Sequence, residues 1–258
     1  EEQNIRGPKG ELIRIEVFCH GALCMAVSGK CYLSLDNFNT SANRGACVQP
    51  CRRGYTVQDR DQEITLAIDN EYIMSPKDLC TLPFLDRVLD AGVKILKIEG
   101  RGRSPEYTKV TVGVYSEAVK AIQNGEFTEE KVAAWTERLR SVYNRDFWDG
   151  YYLGRKTGEW TKRYGSQATK TKIFVGTVTN FFGKINVAEI RMETQDLKIG
   201  DDIMIIGPTT GVYEDTVSEI RVDLKSVNAT EKGELCSIPA KDVVRRGDKV
   251  YKVIDAEI

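Results

Sequence analysis

The sequence predicts an α/β fold: the C-terminal part of a TIM-like barrel, followed by helices and then a small all-β barrel. Three observations predict it. Over residues 12–143, apolar runs of strand length alternate with runs of helical spacing. Beyond Gly165 to Thr171 the helical spacing stops, and short alternating runs separated by glycine turns take over. The chain, at 258 residues, is long enough for two such bodies. The expected division is 1–164 and 165–258.

The elements follow in order. "LIRIEVFCHG" is partly alternating and β-branched, which predicts a strand over Leu12 to Phe18 that ends at Cys19-His20-Gly21. Residues 21–55 are rich in Gly, Ser, Asn, Arg and Cys, a loop long enough to be functional. "EYIMSPKDLC" reads as a short strand that turns at Ser75-Pro76. Leu82, Leu85, Val88 and Leu89 share a helical face, with Gly92 as its C-cap. Val93 to Ile98 reads as a strand and Gly100 to Arg103 as a tight loop. Ser104 and Pro105 then suit an N-cap and a first helical position, for a helix reaching about Asn124. A further helix is predicted from Glu129 to Tyr143. Three strands do not close a barrel, so the sheet is either open or preceded by further strands. The first residue, a glutamate, fits a piece of a longer chain.

The β region comprises "IFVGTVTNFF", "INVAEIRM", "DDIMIIG", "VYEDTVSEIRV", "ELCSIP" and "DKVYKV". Its phrases "LKIGDDIMIIGP" and "VRRGDKVYKV" resemble the second-domain β-barrel of translation elongation factors, a likeness of fold that carries no function.

Composition excludes several classes. Hydrophobic residues make up 41% and charged residues 29%, the balance of a soluble globular protein. No apolar run approaches the roughly 20 residues that span a bilayer, and no membrane is expected as a partner. The formal net charge of -1 leaves any polyanion site to a local patch. Seven cysteines without an export signal point to a reducing, cytoplasmic setting rather than a disulfide scaffold.

Five of those cysteines and the single histidine crowd into residues 19–51. Cys24, Cys31, Cys47, Cys51 and Cys80 offer more than the four thiolates of an iron–sulfur cluster or a structural zinc site. The spacing C-x6-C-x15-C-x3-C is irregular, and the competing reading is buried free thiols. Cys236, on an apolar strand, reads as core. His20 suits a ligand, a general base or a satisfied polar group at a strand end. Barrel enzymes carry their chemistry at the C-terminal ends of strands, so His20, Lys77 and Glu99 are the candidate catalytic residues. Arg44, Arg52, Arg101 and Arg103 are candidates for binding substrate or phosphate. Their alternative fate is a solvated basic loop.

Together, "EVFCHGALCMAVSGKCYLS", "NRGACVQPCR", "YIMSPKDL" and "KIEGRGRSPEY" resemble the collagenase-like peptidase family, the thirty-second of unknown catalytic type. The first string matches its signature of Glu, Phe, His-Gly-Ala, Cys, Ser-Gly and Cys in order, and the likeness covers most of residues 12–155. It implies an N-terminal segment that completes a barrel in full-length relatives. It also implies a four-iron four-sulfur cluster on Cys24, Cys31 and Cys47, with Cys80 favoured over Cys51 as the fourth ligand. The activity implied is RNA hydroxylation, on tRNA or rRNA, with a small-molecule hydroxyl donor. Two alternatives stand beside it: a peptidase, as the family name says, and a zinc-binding scaffold without catalysis. A homodimer is compatible with the sequence.

Overall fold

Residues 5–26, 31–57 and 70–257 are described by the computed structural model of the chain. They fall into two compact units. One comprises residues up to Arg103 together with Val110–Gln167, and the other Ser104–Lys109 together with the residues from Ala168 onward.

In unit one the elements run β1 (Glu16–Ala22), α1 (Leu33–Phe38), β2 (Asp78–Cys80), α2 (Leu85–Asp90), β3 (Ile95–Glu99), α3 (Pro105–Gln123, whose residues up to Lys109 fall in unit two), α4 (Glu129–Arg140) and β4 (Phe147–Trp148). The strands form a sheet of order β3-β1-β2-β4. β1 is parallel to β3 and antiparallel to β2, and β2 is parallel to β4. This four-stranded mixed sheet is not a barrel among the described residues.

Two expectations are corrected here. The first strand begins at Glu16, not Leu12, and continues through Cys19, His20 and Gly21. Pairing decides this: the carbonyl of Ile15 accepts the first bonds from Lys94 and Ile95, while Leu12 and Ile13 stay exposed. The second strand follows Ser75-Pro76 instead of preceding it. Its antiparallel direction brings Asp78 opposite Ala22, so the start of β2 meets the end of β1. The end of β3 arrives beside them, with Glu99 opposite Gly21. Three chain segments thus converge at one end of the sheet, although only two reach it as C-terminal strand ends. Gly21 is required there: its φ is +114°, and a Cβ would run into the carbonyl of Glu99.

The helices cover the sheet through residues at helical spacing. Val114, Tyr115, Ala118 and Ala121 of α3, with Trp135 and Leu139 of α4, are buried with Cys19, Cys80, Leu82 and Leu85. The Thr128 hydroxyl caps α4 by accepting the Lys131 amide at 3.4 Å. Glu117 accepts from Trp135 Nε1 at 2.9 Å and from both ends of the Arg138 guanidinium. The expected helix from Leu82 is a 3-10 turn over Leu82–Phe84 that leads into α2. Gly92 ends it at φ +92°.

Unit two contains β5 (Lys170–Phe182), β6 (Val187–Met192), β7 (Asp202–Gly207), β8 (Gly211–Thr216), β9 (Ile220–Val222), β10 (Lys225–Val227), β11 (Leu235–Pro239) and β12 (Lys249–Asp255). Their order is β10-β9-β11-β6-β5-β12-β7-β8, with every pair antiparallel. Alternate residues such as Val178, Ile190, Ile203, Ile205, Ile238 and Val250 fill one core. Register shifts after Val178 and Val250 bend the long strands around it. The expected run "VYEDTVSEIRV" divides into β8 and β9, and β10 went unpredicted. Cys236 lies in this core as expected, its thiol pushed up to about 12 by burial.

Candidate functional site

At the end of β1 the side chains divide between core and loop. Cys19 and Cys80 are buried, and burial pushes their thiols up to about 12 and about 11. Tyr115 pins this region together. Its hydroxyl donates to the Cys19 carbonyl at 2.8 Å and accepts the Thr81 amide at 3.2 Å, and it stands 3.9 Å from Cys80 Sγ. His20 is 2% exposed, with its Nδ1 3.5 Å from the same hydroxyl and its ring against Tyr115 and Phe147. Burial first, and the Arg103 charge second, lower its pKa to about 3. A base held neutral this far down is suited to packing and hydrogen bonding rather than to proton transfer at neutral pH.

That depression makes folding pH-dependent. The unfolded imidazole titrates near its ordinary 6.5 and the folded one near 3, so between these values the unfolded chain binds the extra proton. Its stabilising contribution is complete above pH 6.5 and is lost as pH falls toward 3, by on the order of 4 kcal/mol. Urea unfolding of the wild type and His20→Gln at pH 7.5 and pH 4.5 checks this: the variant's stability is expected to change less between the two.

The remaining expected catalytic groups are engaged. Lys77 bridges Asp146 at 2.9 Å and Glu159 at 3.1 Å. Burial works against its charge, but these two hydrogen-bonded carboxylates outweigh it and raise the ammonium. Glu99 accepts the Arg101 backbone amide at 2.8 Å at the turn after β3.

The cysteine-rich loop lies beyond the strand ends. Cys24 and Cys47 are exposed, while Cys31 and Cys51 are half-buried. Burial raises the Cys51 thiol and the Arg52 charge opposes it; Cys24, Cys47 and Cys31 each raise it further. These four thiols therefore share one electrostatic neighbourhood. Cys80, favoured on sequence grounds as the fourth member, sits in the core against Tyr115 instead. The strand pairing that places it there was not visible in its spacing. Among the described residues no three His, Cys, Asp or Glu side chains already stand at ligating separation.

The expected anion-binding arginines largely build this loop. Arg52 donates to the Ser75 hydroxyl at 3.2 Å and to the carbonyls of Pro76 and Leu23 at 2.6 and 2.5 Å, tying the segment after Cys51 to two strand ends. Arg101 donates to the Gly45 carbonyl at 2.7 Å. Ser34 of α1 accepts the Val48 amide at 3.3 Å and stands 4.0 Å from Cys47 Sγ. Arg44 is exposed on a 3-10 turn.

Sequence reasoning missed the centre of this network. Asp78 is 1% exposed and lies 3.6 Å from both Arg103 and Arg145, and it also accepts the Arg145 amide at 3.2 Å. Burial raises its pKa, against the pull of Arg103, Arg145 and Arg52. Arg103 stacks on Tyr143 at 3.9 Å, and Arg145 lies 5.2 Å from the same ring. The available signal was the acidic residue in "SPKDL", set among arginines distant in sequence. Beside the network opens a cavity of about 320 Å³ that reaches Cys47, Arg52, Arg53, Arg145 and Arg163.

The mixed sheet thus carries, at one end, a four-cysteine loop braced by arginines. The family model described as "Peptidase family U32" matches residues 3–162. The chain belongs to peptidase family U32. It is 56% identical over 249 residues to a protein named "Collagenase" from Porphyromonas gingivalis W83, covering 96% of this chain and 60% of that one. It is 33% identical over 215 residues to "tRNA hydroxylation protein P1" of Bacillus subtilis, covering 81% of this chain and 50% of that one. Over 108 residues it is 43% identical to "23S rRNA 5-hydroxycytidine C2501 synthase" of Escherichia coli, covering 42% of this chain and 16% of that one. The chain thus spans about half to three-fifths of the first two relatives. No helix among the described residues is long and apolar enough to cross a membrane.

Proposed function

We propose that this chain is part of an RNA-hydroxylating protein in which Cys24, Cys31, Cys47 and Cys51 hold an iron–sulfur cluster. The observation that carries the reading is the bracing of the cysteine-rich loop at the end of the sheet: Arg52, next to Cys51, donates to the carbonyls of Leu23 and Pro76, and Arg101 holds the Gly45 carbonyl near Cys47. Its donor set of four cysteine thiols suits a cluster. Bound there, a cluster supplies one-electron chemistry. The chain's own residues position it: Arg52 and Arg101 hold the loop backbone, and Ser34 steadies the Cys47 segment. The likeness to the Bacillus tRNA hydroxylation protein over 81% of the chain supports RNA as the substrate.

A second reading, peptidase, draws on the Porphyromonas relative's name. A cysteine–histidine nucleophile would need a thiol poised to ionise beside a basic imidazole. Cys19 and Cys80, near His20, are instead held protonated by burial, and His20 is held neutral. These protonation states weigh against a cysteine–histidine peptidase at this position. The deciding experiment combines anaerobic reconstitution of the full-length protein with nucleoside mass spectrometry of RNA from a strain lacking it. Stoichiometric iron and sulfide, together with loss of a hydroxylated pyrimidine, are expected. An unchanged nucleoside profile would overturn the RNA assignment, and zinc in place of iron and sulfide would overturn the cluster.

A further inference from the structure

We infer that the arginine-lined cavity of unit one is a phosphate-binding pocket for a nucleotide, with the base resting on Tyr164 at its rim. The inference stands on the cavity alone and does not require the cluster.

Charge is the first argument. Arg52, Arg53, Arg145 and Arg163, from three separate stretches of chain, line one space of about 320 Å³, and among the described residues no acidic side chain lines it. Arg145 is 6% exposed and Arg52 half-buried. Grouped guanidiniums of one sign are costly to bury unless a counter-charge is supplied. Asp78, behind the cavity, supplies one, and it is shared with Arg103. Among the described residues Arg53 and Arg163 have no acidic partner, and both are exposed at the mouth. A dianion would match the two charges of Arg53 and Arg163.

Geometry is the second. The inner arginines have spent donors on fixed partners: Arg52 on Ser75, Pro76 and Leu23, and Arg145 on Gln49 at 3.2 Å. They are therefore locked in place and present a preorganised positive floor, while two exposed arginines complete the lining: Arg163, and Arg53, whose guanidinium lies 5.1 Å from the Phe38 ring centroid. A phosphate, with three peripheral oxygens, can accept from several guanidiniums at once, whereas a single carboxylate is satisfied by one bidentate pair. The space exceeds what a phosphate fills and falls within the range of small-ligand pockets. At its edge the Tyr164 ring is 72% exposed, a platform for a flat base.

Equilibrium dialysis of the full-length protein against uridine 5′-monophosphate, uridine, inorganic phosphate and succinate tests the assignment. Uridine monophosphate is expected to bind at least tenfold more tightly than uridine. Arg163→Ala and Arg53→Ala should each weaken it by about tenfold, the scale of one charge-assisted hydrogen bond. Tyr164→Ala should weaken the nucleotide and leave inorganic phosphate unchanged. All three side chains are exposed, so unaltered melting of the variants will verify their folding. Equal binding of uridine and its monophosphate, tighter binding of succinate, or wild-type affinity in both arginine variants would overturn the assignment. Competition by a short RNA bearing a terminal phosphate separates the sources: displacement assigns the phosphate to RNA, and its failure assigns it to a free nucleotide. Absence of uridine monophosphate binding by the wild type, with RNA hydroxylation intact, would reject this pocket and leave the hydroxylation reading standing.

Discussion

Asp78→Ala is expected to destabilise unit one by about 3–5 kcal/mol, the cost of removing one partner from a buried ion pair. The carboxylate is 1% exposed, and the side chains of Arg103 and Arg145 are only 9% and 7% exposed. Without Asp78, both guanidiniums lose this buried carboxylate, and Arg145 still bears on the charge of Arg52. The Arg145 amide also loses its acceptor. Asp78→Asn should cost less, because an amide oxygen can still accept from that backbone group, but it restores no charge. The readout is simple: all three tryptophans of the chain, Trp135, Trp148 and Trp160, lie in unit one. Urea unfolding followed by tryptophan fluorescence therefore reports this unit. A midpoint for Asp78→Ala within error of wild type would show that the arginines find other partners.

Cys51→Ser is expected to abolish retention of iron and sulfide, as are Cys24→Ser, Cys31→Ser and Cys47→Ser. Cys80→Ser should retain both. The contrast follows from placement: Cys51 shares the electrostatic neighbourhood of the three other loop thiols, whereas Cys80 is buried on β2 against Tyr115. Cys80→Ser instead carries a packing penalty of about 1–3 kcal/mol, from placing a hydroxyl where a thiol packed as a small hydrophobe. Iron and sulfide analysis after anaerobic reconstitution, with fluorescence-monitored stability alongside, distinguishes the two effects. Loss of the cofactor in Cys80→Ser with normal stability, or its retention in Cys51→Ser, would return the fourth position to Cys80.

Local pattern and composition determined a good deal of this protein. The strand-to-helix alternation, the helices α3 and α4, the change of character near residue 168 and the β-rich second unit are all legible in hydrophobic period and turn residues. So was the special character of the loop, because seven cysteines and one histidine are unevenly spread along the chain. The family too was legible, from four short strings such as "EVFCHGALCMAVSGKCYLS" and "KIEGRGRSPEY". Tertiary structure alone decided what depends on partners distant in the chain. The antiparallel turn of β2 follows from hydrogen bonding to β1, about 58 residues earlier, and no local signal encodes direction. That turn sends Cys80 inward and leaves Cys51 among the loop thiols. It also carries Asp78 to Arg103 and Arg145, up to 67 residues away in sequence. The roles of the arginines were hidden for the same reason. A guanidinium in a glycine-rich loop reads alike whether it waits for phosphate or clasps the carbonyls of Leu23 and Pro76, because charge type is local and desolvation is not.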